Sequence, residues 1–289
     1  MGDQPSFYLD RERKNMSNPL VLYHASCPDG FCAAWVASKS LKDAEFVPVQ
    51  YGDTPPDVTG REVYILDFSF KRPVMIELSQ KAKKLVVLDH HKSAAEELVN
   101  LSAGSNEGLI RFDMDKSGGR MTWEYFNPSN HPRPWLVDYT EDRDLWLFKL
   151  PNSKAISAFI RSWPYDFKLW DEWASYGAYG PYSNHIHAGA AILRYQQTVV
   201  DGAVKNAVEM EMDSHKVLSV NATTLISEIG EKLSENRPFS ATYFIDGKGN
   251  KIWSLRSRED GEDVSKIAKK HGGGGHKHAA GFVENKGTF

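Results

Sequence analysis

Cysteine is almost absent from this chain: Cys27 and Cys32 are the only two among 289 residues. Two thiols so close in sequence cannot frame a disulfide-stapled scaffold, and their place on a strand-to-helix connection points to a reducing compartment, the cytoplasm. Long apolar runs are missing too. Nothing approaches the ~20 residues that cross a bilayer, and no apolar leader opens the sequence, so neither a membrane span nor a secretory signal is expected. The third absence is an excess of basic charge, because 35 Lys and Arg against 38 Asp and Glu leave a net charge of −3. A protein that grips long duplex nucleic acid through many phosphates needs a basic surface, whereas a short substrate held at its ends does not. What is present is a 41% hydrophobic share, enough at this length for a sizeable core and two domains.

The chemistry gathers where apolar runs stop. Leu20-Val21-Leu22-Tyr23 ends in His24, with Asp29 close behind; Val63-Tyr64-Ile65-Leu66 delivers Asp67; Leu85-Val86-Val87-Leu88 runs straight into Asp89-His90-His91. Open α/β sheets place their chemistry at such strand ends. Taken singly, an Asp there is a helix cap or turn residue and a His is a surface side chain. Taken together, carboxylates at one sheet edge repel one another unless a cation neutralises them, so a metal site is the stronger reading.

Between about 20 and 100, strands near 20–24, 45–49, 63–66 and 85–88 alternate with helices over 29–38 and 74–83, which predicts a parallel sheet with crossover helices. Ser117-Gly118-Gly119-Arg120 precedes a helix through Phe126 and reads equally as a phosphate contact and as a plain helix-start turn. Over 135–150, Asp138, Glu141, Asp142 and Asp144 are too many for one coordination position. Asp138 and Asp142 share a helix face, while Asp144 points elsewhere. Trp163, Trp170 and Trp173 stand at helical spacings that favour core filling over base stacking. His185 and His187 read as surface or cap residues, and Ala188 to Glu211 as one long helix leading to a second domain.

That second domain is small and mixed, with strands around 217–220, 241–245 and 252–256 and helices around 227–235 and 263–270. Asp246-Gly247-Lys248-Gly249-Asn250 has the composition of a hairpin connection. The run Gly272-Gly273-Gly274-Gly275 lets backbone N–H groups approach an anion, and ordered-looking sequence resumes at Ala279. At the other end, Met1 to about Asn18 is polar and without period, which predicts a loose arm. Met16 offers an alternative start there, and Met1-Gly2-Asp3-Gln4-Pro5-Ser6 formally fits an acylation pattern that nothing else supports.

In order, these motifs resemble those of the DHH phosphoesterase superfamily, in the branch with a C-terminal DHHA1 domain that includes RecJ-type exonucleases, nanoRNases, pAp phosphatases and cyclic-dinucleotide phosphodiesterases. His24-Ala25-Ser26-Cys27-Pro28-Asp29-Gly30 resembles the first motif, Asp67 in Leu66-Asp67-Phe68-Ser69 the second, and Asp89-His90-His91 the third. Asp144 in Asp142-Arg143-Asp144-Leu145-Trp146 matches the fourth, and Gly272 through Phe282 the glycine-rich DHHA1 signature. One position departs. The family's first motif commonly carries two acids two residues apart, and here Cys27 takes the earlier place. A thiolate is softer than the carboxylate that Mn²⁺ or Mg²⁺ prefers, so Cys27 is a ligand, or leaves one metal position weakened, or yields to Ser26 acting through water.

The resemblance implies an α/β fold, with an N-terminal parallel-sheet DHH domain over 19–190 after a loose arm at 1–18. A linker helix over 191–215 and a smaller α/β DHHA1 domain over 216–289 follow, with the active site in the cleft between the domains. It implies that His24, Asp29, Asp67, His90 and Asp144 hold one or two Mn²⁺ or Mg²⁺ ions, with Asp142 as the alternative to Asp144. Asp67, Asp89 and His91 are the catalytic candidates; His91, Arg256, Gly273, Gly274, Gly275 and His276 are the substrate-binding ones. The implied activity is hydrolysis of short RNA or DNA oligonucleotides, or of small nucleotide phosphodiesters, to nucleoside monophosphates. Removal of the 3′-phosphate of pAp, cleavage of cyclic dinucleotides, and a catalytically weak nucleotide-binding sensor are the competing readings. No membrane or long duplex partner is expected, and the sequence is compatible with a homodimer.

Overall fold

A computed structural model of the chain describes residues 18–129, 131–175, 181 and 183–285. The expected N-terminal arm, with Met16 and the acylation pattern, lies outside the described residues up to position 17. From there the chain alternates β1 (Leu20–His24), α1 (Pro28–Ser40), β2 (Glu45–Val49), β3 (Glu62–Leu66), α2 (Arg72–Lys81), β4 (Lys84–Asp89), α3 (Lys92–Glu97) and β5 (Leu109–Phe112). Its five strands form one parallel sheet in the order β2-β1-β3-β4-β5. A parallel sheet covered on both faces needs apolar residues at successive positions, which is why its central strands are continuous hydrophobic runs. Leu20, Leu22, Val63, Ile65, Leu85 and Val87 enter one core cluster, while Val21, Tyr64, Leu66, Val86 and Leu88 enter another. Burying each Leu, Ile or Val in full contributes about 1.5–3 kcal/mol, so a one-residue slip of register is heavily penalised.

The strand order reverses between β1 and β3, because the chain leaves β1 for β2 on one side and returns to β3 on the other. The crevice outside the carboxyl ends of strands at such a switch point is the usual ligand site of this architecture. Helices α4 (Gly118–Phe126), α5 (Trp135–Asp144), α6 (Ser153–Arg161) and α7 (Phe167–Ser175) come next. With α1 they enclose an aromatic core of Phe31, Trp35, Trp135, Phe159, Trp170 and Trp173. Trp170 and Trp173 are buried in it, and Trp163 stays 48% exposed.

Two expectations change here. His185, on α8 (Ser183–Val204), is not a surface or cap residue. Its ring stacks on Phe159 with centroids 4.5 Å apart and lies near Trp135 and Trp173, and burial draws its pKa down. A neutral imidazole serves there as a flat filler among aromatic rings. The long helix expected to reach Glu211, and the linker helix expected through 215, stops at Val204, and β6 (Val208–Met212) follows. Val208-Glu209-Met210-Glu211-Met212 alternates with period two and pairs antiparallel with β7 (His215–Asn221), where a helical period would leave that pairing unmade.

The remaining elements are α9 (Ile226–Leu233), β8 (Ser240–Ile245), β9 (Lys251–Arg256), α10 (Val264–Lys270), β10 (Gly274–Gly275) and β11 (Ala279–Glu284). They complete a six-stranded mixed sheet in the order β10-β11-β9-β8-β7-β6, parallel only between β7 and β8. Phe239, Ala241, Trp253 and Leu255 bury one face against Val264, Ile267 and Ala268 of α10, and Val220 packs with Ile229 and Leu233 of α9. The expected hairpin closes at Asp246, whose N–H donates to Asn250 O at 2.9 Å. The protein is therefore an α/β chain with one parallel and one mixed sheet. It divides into two compact units, one holding the chain up to His90 with Glu97–Ala190 and the other holding His91–Glu96 with the chain from Ala191 onward. Among the described residues no helix is long and apolar enough to cross a membrane.

Candidate metal centre

Strand ends at the switch point of the parallel sheet deliver most of the predicted ligands. His24 closes β1, Asp67 follows β3, and His90 follows β4. Asp67 holds a left-handed backbone, φ 55°, a conformation that Asp tolerates better than most side chains. Its carboxylate is 1% exposed. Its Oδ2 stands 3.4 Å from His24 Nδ1 and its Oδ1 3.1 Å from His90 Nε2. His90 Nε2 is also 3.4 Å from Asp144 Oδ2 and 3.8 Å from Asp29 Oδ2.

Within its own unit Asp67 thus belongs to two ligand sets. His24, Cys27 and Asp67 bring one donor atom each within 4.8 Å of one another, and so do Asp29, Asp67 and His90. A carboxylate with one oxygen toward each set is the arrangement of a bridge between two cations. Donor chemistry fits as well. Neither Asp67 oxygen accepts a hydrogen bond of good geometry inside the protein, which for a buried carboxylate is sustainable when a cation or solvent takes that place.

The electrostatics of the bare protein agree. Burial, reinforced by the charges of Asp67 and Asp144, pushes the Asp29 carboxyl well above its usual range. Burial opposes the charge of Asp67 too, but the imidazoles of His24 and His90 hold it well below that range. His90 is raised well above an ordinary histidine: burial works against its charge and the carboxylates of Asp67, Asp144 and Asp29 override it. Burial, then the nearby carboxylates, push the Cys27 thiol well up. Protons thus supply the positive charge that the cluster needs, and a bound divalent ion inverts that logic by ionising the ligands.

Two predicted alternatives are resolved by geometry. Asp142 turns its carboxylate onto the loop after α5, where it accepts hydrogen bonds from Lys149 N at 2.8 Å and Leu150 N at 3.2 Å. Asp144 is the acid of that segment that faces His90. Ser117-Gly118-Gly119-Arg120 does not present its N–H groups to a phosphate: Gly118 N and Gly119 N donate to Asp29 at 2.6 and 3.0 Å. Ser117 caps α4 by accepting from Arg120 N, and the Arg120 guanidinium pairs with Glu124 and Glu141. Sequence reasoning missed this clamp on Asp29. A glycine pair at a helix start was its one visible signal. A Cβ on Gly118 would lie 2.5 Å from Asp67 Cβ, so only glycine lets the α4 terminus come this close.

Asp89 is fully buried, with its carboxylate accepting from Ser69 Oγ at 2.7 Å and His90 N at 2.7 Å. These bonds fix the backbone that presents His90. The other predicted residues belong to the second unit. There the ring of His91 stacks on His276 at 4.6 Å, and Gly275 N donates to Ser93 Oγ at 3.0 Å. Gly273 approaches Gly281 and Phe282 so closely that a Cβ would meet Gly281 O at 2.0 Å, and Gly274 and Gly275 form β10. The Arg256 guanidinium is held by Ser227 Oγ and Leu255 O.

No family model matches the chain. Among curated proteins it is 29% identical over 292 residues to the uncharacterized protein R106 of Acanthamoeba polyphaga mimivirus, covering 91% of this chain and 67% of that protein. A shorter stretch, 77 residues and 27% of this chain, is 38% identical to the oligoribonuclease NrnB of Bacillus subtilis but covers only 19% of it. Two solved structures share the architecture at low identity. An exopolyphosphatase-related protein from Bacteroides fragilis matches with a TM-score of 0.52 at 12% identity, covering all of this chain and 94% of the other. The pGpG-specific phosphodiesterase PggH from Vibrio cholerae matches with a TM-score of 0.50 at 13% identity, covering 93% and 94%. These likenesses show a shared fold, and over the 77 residues matched to NrnB a likeness of sequence as well. The α/β architecture, with one parallel and one mixed sheet, fits the two-domain DHH/DHHA1 fold, and acidic and imidazole groups of the first unit are placed to hold metal.

Proposed function

We propose that the protein is a metal-dependent phosphoesterase that hydrolyses short oligonucleotides or small nucleotide phosphodiesters to nucleoside monophosphates, in the cytoplasm. The observation that supports this most is Asp67, shared by the two ligand sets. His24, Asp29, Asp67, His90 and Asp144 would hold one or two ions, Mn²⁺ or Mg²⁺ on the oxygen-rich side, with Cys27 on the other. Bound there, divalent ions supply an activated water and stabilise charge on the attacking and leaving oxygens. Asp67 orients both ligand sets, and Asp89, through Ser69 and the His90 backbone, keeps His90 in place. His91 contacts the phosphoryl group or carries a proton to the leaving oxygen. Arg256, Gly273, Gly274, Gly275 and His276 bind the nucleotide. The names of NrnB and PggH, an oligoribonuclease and a pGpG phosphodiesterase, favour short substrates over long ones, as does the net charge of −3.

A panel of RNA dinucleotides, longer RNA, pAp, a cyclic dinucleotide and polyphosphate, assayed with Mn²⁺, with Mg²⁺ and with chelator, tests the reading. Mononucleotide release from the shortest RNAs, dependent on metal, is expected. Nucleotide binding without turnover on any member would replace the enzyme by a sensor, and release of phosphate from pAp alone would replace the diesterase by a phosphatase.

A further inference from the structure

The two ligand sets around Asp67 differ in one donor. Asp29, Asp67 and His90 offer two carboxylates and an imidazole; His24, Cys27 and Asp67 offer one carboxylate, one imidazole and one thiol sulfur. We propose that the second set is a thiolate site that takes a borderline-soft divalent ion, Zn²⁺ foremost, while the first set takes a harder ion, making the centre heterometallic. The proposal rests on the phosphoesterase reading only in sharing Asp67 with it.

Three observations carry it. The donor atoms of His24, Cys27 and Asp67 already converge within 4.8 Å. Two ligand atoms ~2.0–2.1 Å from a tetrahedral Zn²⁺ stand about 3.3 Å apart, and His24 Nδ1 and Asp67 Oδ2 are 3.4 Å apart. Asp67 is 1% exposed, and its Oδ2, 3.4 Å from His24 Nδ1, is a buried acceptor that lies in the set. Three protein ligands with an open fourth position describe a catalytic rather than a structural zinc site.

The competing uses of this corner fit less well. Ser26 is exposed, and its hydroxyl accepts from Gln50 Nε2 at 3.5 Å. The second thiol, Cys32, is fully buried in the aromatic core and joins no ligand set among the described residues. Softness then decides the ion. Thiolate and imidazole select Zn²⁺ over Mg²⁺ or Mn²⁺, whereas carboxylates favour the harder ions. Binding deprotonates Cys27, and the thiol proton passes to solvent.

Metal-free protein titrated with Co²⁺ gives the decisive readout, because sulfur-to-cobalt charge transfer absorbs in the near ultraviolet only when a thiolate is bound. The wild-type chain is expected to develop that band, and Zn²⁺ to displace it while Mg²⁺ does not. Cys27→Ser should lose the band and weaken Zn²⁺ binding by more than about 100-fold, beyond what loss of an outer partner does, while Mn²⁺ binding to the other set persists. Cys27→Asp, checked for folding by circular dichroism, should bind Mn²⁺ in both sets. Co²⁺ bound to the wild type without the charge-transfer band, or a band retained in Cys27→Ser, overturns the proposal and leaves the phosphoesterase reading standing. Failure of both sets to bind any divalent ion overturns both.

Discussion

The two sheets of this protein hold their useful residues in opposite ways. In the parallel sheet every strand ends at the same edge, so His24, Asp67 and His90, far apart in sequence, arrive together at the ends of β1, β3 and β4. In the mixed sheet, antiparallel neighbours send successive strand ends to opposite edges, and its candidate residues come from the β9 end and the β10 turn. A parallel sheet concentrates ionisable side chains without a local motif; in the mixed sheet the turn at β10 spends its glycine N–H groups within the unit, Gly273 N on Ala268 O and Gly275 N on Ser93 Oγ. The comparison predicts that changes at the parallel-sheet edge act on turnover and changes in the mixed sheet on binding.

Removing the shared carboxylate is the sharpest way to break that contrast. Asp67→Ala is expected to lower kcat by about 10³-fold or more while leaving the fold, since the residue joins no hydrophobic core and its carboxylate faces the imidazoles of His24 and His90. Full activity of Asp67→Ala with metal present would show that the parallel sheet edge is not the reactive centre. Gly118→Ala comes next. Its Cβ would lie 2.5 Å from Asp67 Cβ, an overpacking of about 1–3 kcal/mol, and the resulting shift of Asp67 should appear in kcat as well as in Tm. A variant as active and as stable as wild type would mean that α4 can retreat without moving the ligands.

In the second unit His276→Ala is expected to raise KM about tenfold with kcat within a factor of two or three, the pattern of lost uniform binding. Equal losses in kcat and kcat/KM would move His276 into the chemistry and erase the division between the two sheets. The same kinetics on Asp142→Asn sharpen the assignment of the acid near His90. Asp142 faces Lys149 and Leu150 N–H groups, so its amide should alter stability more than turnover, and Asp144→Asn should do the reverse.

What the sequence made legible follows the same divide. Continuous runs such as Leu85 to Leu88 announce buried parallel strands, and the acid or imidazole that ends each one is visible at once. The α/β class and the parallel sheet with a second mixed one are as expected. Long-range partners are invisible: nothing around Asp29 indicates that Gly118 and Gly119, about ninety positions on, clamp its carboxylate. Strand β5 escaped notice because it has four residues, none of them fully buried. By composition β6 continues the preceding helix despite its alternation, and His185 reads as polar because only the folded chain brings Phe159, Trp135 and Trp173 around it. Between Asp142 and Asp144, spacing alone left the choice open, and it is the loop capped by Asp142 that separates them.

The smallest expected effect tests the second unit through its stability. Asp263 caps α10, accepting from Ser265 N at 3.2 Å, and pairs with Lys92 Nζ at 2.5 Å. Burial resists its charge, but Lys92 and Ser265 prevail and hold the carboxyl below its usual value. A carboxylate depressed in the folded state contributes stability that is present above its unfolded pKa, near 3.9, and is lost as pH falls through the lower folded value. Asp263→Asn should therefore cost little at the cap, since Asn caps nearly as well, while Asp263→Ala costs about 1 kcal/mol at neutral pH. The difference in Tm between wild type and Asp263→Asn should be constant near neutrality and shrink as pH falls below about 4. A difference that stayed unchanged down to pH 2 would mean that the charge of Asp263 adds no stability, and that neither Lys92 nor Ser265 holds its carboxyl below the unfolded value.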